Sequence, residues 1–315
     1  MRAGLRWSIA LGIVALAVAF VLLGSGLDFD YVIPKRLVRL AAIVVGGICV
    51  AVSSIIFQTL VGNRILTPAI MGYEAVYLLW QSLLLLLLGT LGLTMLGVRG
   101  NFLVSVVLML GYSWWLNRWL LRRGKGDVYV LLLLGLVLTM VIGTFTQFVQ
   151  LRISPGEFAV FQGLSYASFN RARPETLIYA SVAVLLVSVV VCKTLPILDV
   201  LALGRDQAIS LGVQQPVYLR LYLALIAVLV AVSTSLIGPT AFVGIFVANI
   251  VYALAPSARH RLSLPLGCAI AIAIFILAQL LVEHVFNYKT TVSILVNLVC
   301  GAYFLALIVR ARGNP

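Results

Sequence analysis

Apolar runs of roughly 17–25 residues recur from one end of this chain to the other, and they leave it little choice of solvent. A membrane's hydrocarbon core is about 30 Å thick, and a helix rising about 1.5 Å per residue crosses it in about 20 residues. Composition points the same way. Of 315 residues, 63% are hydrophobic and 10% charged, and the mean hydropathy is +1.16. Soluble domains hold about 45–50% apolar and about 25% charged residues. The expected fold class is therefore all-α: a polytopic membrane protein of about ten transmembrane helices, built as one domain over residues 1–315.

The spans read as roughly 7–23, 40–62, 75–96, 102–121, 128–149, 177–198, 217–237, 241–255, 262–286 and 291–309. The opening apolar stretch is longer than the apolar part of a usual signal peptide, and many spans follow it, so it is expected to be a retained first helix. Lys and Arg set the orientation. With the N-terminus inside, fourteen basic residues face the cytoplasm and eight face outward, which favours N-in and C-in. The cytoplasmic set includes Arg2, Arg123 and Lys125. Lys35, Arg36 and Arg39 cluster at the outer start of the second span, where this tendency disfavours them.

The net charge of +13 invites a nucleic-acid reading, but the basic residues fall in short breaks between apolar runs, and no zinc-finger or aromatic RNA-binding motif accompanies them. No nucleic-acid partner is expected; the lipid bilayer is. Cys49, Cys192, Cys268 and Cys300 stand singly in or beside apolar runs and read as small hydrophobes. The longest polar stretches, 150–176 and 198–216, are too short for a nucleotide-binding domain, and no GxxxxGK[ST] loop occurs. No catalytic residue, metal site or cofactor is expected on this chain, and any ATP chemistry must come from another chain.

All nine acids, Asp127 among them, read as lying in loops or near helix ends. Gradient-driven carriers usually keep an ionisable group at mid-membrane, so this placement argues against that class. Glu74 comes nearest to an exception, and it is expected at the N-terminus of the third helix, where the dipole stabilises a carboxylate. His260 and His284 are expected in loops on opposite sides, with no metal-ligand spacing.

The most informative stretch is "LALGRDQAISLGVQQP", residues 201–216, a polar interruption on the cytoplasmic side. Gly204 and Gly212 bracket a short surface helix. Leu201, Ala202, Leu203, Gly204, Ala208, Leu211 and Gly212 resemble the LALG-x-x-x-A-x-x-LG coupling segment of permeases from iron-siderophore and vitamin B12 importers. Residues 238–254 and 36–72 resemble two further motifs of that family, with Gln58, Asn63, Pro68 and Gly72 at matching spacings. The chain departs from the family at Arg64, where a proline is usual, and at Ala248, Asn249 and Tyr252, where the family has Pro-His…Arg. Residues 154–175 resemble permeases of catechol-type siderophore importers.

The resemblance implies a bacterial inner-membrane permease that imports an iron-siderophore chelate. Haem or vitamin B12 is the alternative cargo, and a gradient-driven carrier the alternative class. It implies two ATP-binding subunits, a second permease, non-identical rather than a second copy, and a periplasmic or lipoprotein substrate-binding protein. ATPase coupling falls to Gly204, Arg205, Asp206, Gln207, Ala208, Leu211 and Gly212. Arg36 and Arg39, with Lys35, resemble the family's docking arginines for the binding protein. The family's further arginine is here Glu283-His284. Thr144, Gln147 and Gln150, three residues apart, are expected to form one polar face on the pathway.

Overall fold

The computed structural model describes residues 3–24, 26, 28–122, 128–240, 242–255 and 259–312. Arg2, Arg123, Lys125 and Asp127 lie outside them. The order of elements is α1 (Ala3–Leu22), α2 (Val32–Val61), α3 (Tyr73–Arg122), α4 (Val128–Gln150), α5 (Pro155–Ser165), α6 (Pro174–Leu201), α7 (Arg205–Ser210), α8 (Gln215–Ile237), α9 (Val243–Leu254), α10 (His260–His284) and α11 (Val292–Arg312). Two 3-10 turns, Pro68–Met71 and Phe169–Arg171, complete it.

Among the described residues, six helices are long and apolar enough to cross a membrane, and three shorter apolar ones accompany them. One of the six, α3, is two rods. Gly89 (φ 60°) and Gly97 (φ 63°) leave helical geometry in a region that disfavours other residues. Tyr73 meets Ser113, and Gln81 meets Asn101 and Ser105, so the arms run antiparallel. Counting α3 twice brings the crossings to about ten. The sequence reading placed this break some residues late, because Gly89 lies within an unbroken apolar run.

The centre of the bundle is α2, 78% buried over its most apolar stretch, against 22% for α4 and for α6. It packs on α8 and α10. Small residues permit this: a Cβ added at Gly47 would stand 3.2 Å from the backbone nitrogen of Ile272. Close backbone approach replaces the hydrophobic effect, which gives helices no reason to associate within lipid. Cys49 and Cys300 are buried in this core, whereas Cys192 is exposed on α6.

Candidate translocation pathway and flanking surfaces

A cavity of about 630 Å³ opens between α3, α4, α5 and α9. Its floor is the α2–α3 connection, which folds into the bundle instead of staying outside it. Thr139, in the middle of α4, donates its hydroxyl to Ile70 O (3.1 Å), and Tyr112 donates to Met71 O (2.8 Å). Gly135 leaves room for the turn, since a Cβ there would meet Met71 Cα at 3.0 Å. Irregular backbone at membrane depth survives only where protein satisfies its carbonyls or where it lines a cavity. Here both conditions hold.

This inward fold changes the reading of Glu74. It does lie in the first turn of α3, but that turn starts inside the bundle, against Ser53 and Ser54 of α2 and Ser233 of α8. One carboxylate oxygen accepts the Thr240 N–H at 2.9 Å, from the link between α8 and α9. The same residue lines the 630 Å³ cavity. An acid at the end of a helix is thus an acid inside the membrane protein, and the argument drawn from its absence at mid-span no longer stands.

Gln147 and Gln150 line the cavity together with Thr139, Gly143 and Thr146. Thr144 does not belong to that set; it is exposed and donates to Met140 O of its own helix (2.9 Å). Steps of three residues fall about 60° short of a full turn each, so Thr144 and Gln150 stand about 120° apart. The cavity-lining positions of α4 alternate steps of three and four.

At the outer end, only Lys35 of the basic cluster is fully exposed, with its ammonium 3.5 Å from the Tyr31 ring centroid. Arg36 is 8% exposed and donates to Phe20 O and Leu23 O, the last carbonyls of α1. Its guanidinium also faces Glu283 at 3.6 Å. Arg39 pairs with Glu283 at 3.0 Å and keeps a quarter of its side chain exposed. Gln279 donates to the same carboxylate (2.9 Å). Burial pushes the phenol of Tyr288, beside Arg39, above its usual pKa. Glu283 is therefore the counter-ion of both arginines.

At the cytoplasmic end, α7 spans six residues, with Gly204 (φ 101°) before it and Gly212 (φ 80°) after it. Ala208 is fully buried against its own chain, while Arg205, Asp206, Gln207, Ile209 and Leu211 are exposed. The small side chain serves the seat of α7 on its own bundle. Close by, Asp199 of α6 holds the ring Nδ1 (2.6 Å) and backbone N–H (2.8 Å) of His260 on α10, and the other ring nitrogen meets Thr59 of α2 at 2.8 Å. This tie of three helix ends is not legible in the sequence, where the residues stand up to 201 positions apart. The motif departures also meet: the Arg64 guanidinium lies 4.8 Å from the Tyr252 ring centroid, and Asn249 donates to Arg64 O (3.2 Å).

Among the described residues, no group of three or more His, Cys, Asp or Glu could hold a metal ion. The FecCD transport family model matches residues 4–310. The chain is 33% identical over 311 residues to the petrobactin import system permease protein YclO of Bacillus subtilis, covering 98% of each. It is 32% identical to the petrobactin import system permease protein FatC of Bacillus anthracis, over 90% of this chain and 80% of that one. Its fold is similar to that of an inward-facing ABC transporter chain of metal-chelate type, with a TM-score of 0.86 at 20% identity, covering 98% of this chain and 99% of that one. A family model matched over nearly the whole sequence and a relative 33% identical along 98% of both chains give one assignment: the chain belongs to the FecCD transport family.

Proposed function

We propose that this chain is the membrane-embedded permease of an ATP-driven importer, and that its cargo is a ferric siderophore chelate carried inward across the bacterial cytoplasmic membrane. The observation that carries the reading is the 33% identity over 98% of both chains to a petrobactin import permease. The cavity supports it, because its apolar walls and its few convergent amides and hydroxyls suit a bulky, weakly charged solute. ATP and Mg reside on two partner subunits, which press against the exposed side of α7, chiefly Ile209 and Leu211 with Arg205, Asp206 and Gln207 around them. A binding protein meets the outer face at the exposed Lys35 and at the quarter of Arg39 that its pairing with Glu283 leaves open, while Arg36 is buried. A second, non-identical permease closes the open side of the cavity.

The test is uptake of iron-55 chelates by cells that lack their own siderophore permeases and express this chain with its ATPase, partner permease and binding protein. Vanadate-sensitive accumulation of a ferric siderophore is the expected result. Accumulation of haemin or cobalamin alone would reassign the cargo, and accumulation that follows the proton gradient without ATP would reject the class.

A further inference from the structure

The cavity is lined by one ionisable side chain with no cation beside it. Among the described residues that line it, Glu74 is the sole ionisable one, and none is basic. Its Oε1 takes the Thr240 N–H, a single neutral donor. Gln147, Gln150 and Thr139 offer dipoles, and Phe242 offers an aromatic face at the rim, 55% exposed. A carboxylate kept in a low-dielectric enclosure without a counter-ion is costly. Such a group lowers that cost by taking up a proton or by receiving a cation.

We propose that Glu74 makes this cavity a recognition site for a positively charged nitrogen. An ammonium-bearing arm of the cargo then lodges against Glu74, and the anionic oxygens that grip the metal are held away from it. The carboxylate, oriented by Thr240, faces the ammonium; the glutamine amides accept its remaining N–H bonds; an aromatic face adds cation–π attraction. The same carboxylate repels chelates that carry only negative charge, so one residue acts both for its cargo and against competitors. The inference rests on the cavity being the transport pathway, and the experiment separates failure of the two.

In the complete transporter, reconstituted in liposomes, Cys49, Cys192, Cys268 and Cys300 are replaced by alanine and the single change Gln147→Cys places a thiol in the cavity. Its rates with a cationic (trimethylammonium-ethyl) and an anionic (sulfonatoethyl) methanethiosulfonate are measured, and their ratio is divided by that for free 2-mercaptoethanol. The normalised ratio should exceed one by about tenfold or more, the scale set by a unit charge at close range in a medium far less polarisable than water. Glu74→Gln should bring it near one, and Glu74→Asp should keep it high. A ratio near one with Glu74 in place overturns the proposal whatever the variants do. A high ratio that Glu74→Gln leaves unchanged overturns it as well, because a carboxylate that merely anchors Thr240 would give that outcome. No labelling by either reagent in any nucleotide state overturns the pathway reading itself, and this proposal with it.

Discussion

Arg36 carries two tasks in one guanidinium, and both are structural. It closes the carbonyl end of α1 and faces the buried carboxylate of Glu283. Truncation leaves those carbonyls without a donor and removes one of the two cations beside an acid 4% exposed. Arg36→Ala should therefore cost about 3–5 kcal/mol, the range for breaking a buried ion pair, read as a lower unfolding temperature of the transporter in nanodiscs. Arg36→Lys should fall between, since an ammonium cannot fork to several acceptors. Lys35→Glu, at an exposed side chain outside the Glu283 pairs, should instead leave folding close to wild type in the same assay and weaken capture of the binding protein, more so at low salt, where exposed charges act over a longer range. Arg64 and Tyr252, the two positions read in the sequence as departures from the family motifs, stand in contact. A double-mutant cycle with Arg64→Ala and Tyr252→Leu should return a coupling of about 0.5–2 kcal/mol, the range for cation–π contacts. Additive effects would make the contact coincidental.

At the scale of elements, the inward-folded connection and α7 are both short segments held by neighbours. Thr139→Val and Tyr112→Phe each remove one donor from a carbonyl of the 3-10 turn and should each cost about 1–3 kcal/mol, because an unmet carbonyl inside the bundle finds no water. Their measurable consequence is altered reactivity of a cavity thiol, since this turn is the cavity floor. For α7 the prediction turns on which way each side chain points. Leu211→Asp should leave the permease folded and abolish substrate-stimulated ATP hydrolysis, because Leu211 is 62% exposed on the face left free by the bundle. Ala208→Arg should fail earlier, as poor accumulation in the membrane, because the position has no room within its own chain. If Ala208→Arg folds and loses coupling alone, the orientation of α7 described here is wrong.

For the molecule as a whole, burial is uneven in a way that bears on assembly. The central α2 is enclosed by its own chain, but α4, which carries the cavity's polar face, is only 22% buried. Polar groups such as Gln147 are poorly placed against lipid, so this side needs a protein surface opposite it. Native mass spectrometry of the complex purified through this chain should give two permeases and two ATPases, with the second permease of different mass. A complex containing two copies of this chain, active in uptake, would show that one sequence can supply both walls.

Apolar run length and Lys/Arg placement are properties of local composition; the first by itself led to about ten membrane-crossing helices, which the described helices match, and the second to the expectation that both ends lie inside. Helix identity in lipid also follows locally, because the backbone has nowhere else to satisfy its hydrogen bonds. The spacing of "LALGRDQAISLG" placed a short helix within residues 204–212, and the helix runs from Arg205 to Ser210. Depth and facing are different properties. That Glu74 sits inside the bundle depends on where the α2–α3 connection is drawn, and Thr139 and Tyr112 far along the chain decide that. That Ala208 faces inward, that Thr144 leaves the pathway face, and that Glu283 serves Arg36 and Arg39 all follow from contacts between segments distant in sequence. In a chain where nearly every span is apolar on all sides, periodicity carries little information about which face meets lipid and which meets protein. Only the packing of small residues and the search of each buried polar group for a partner settled it.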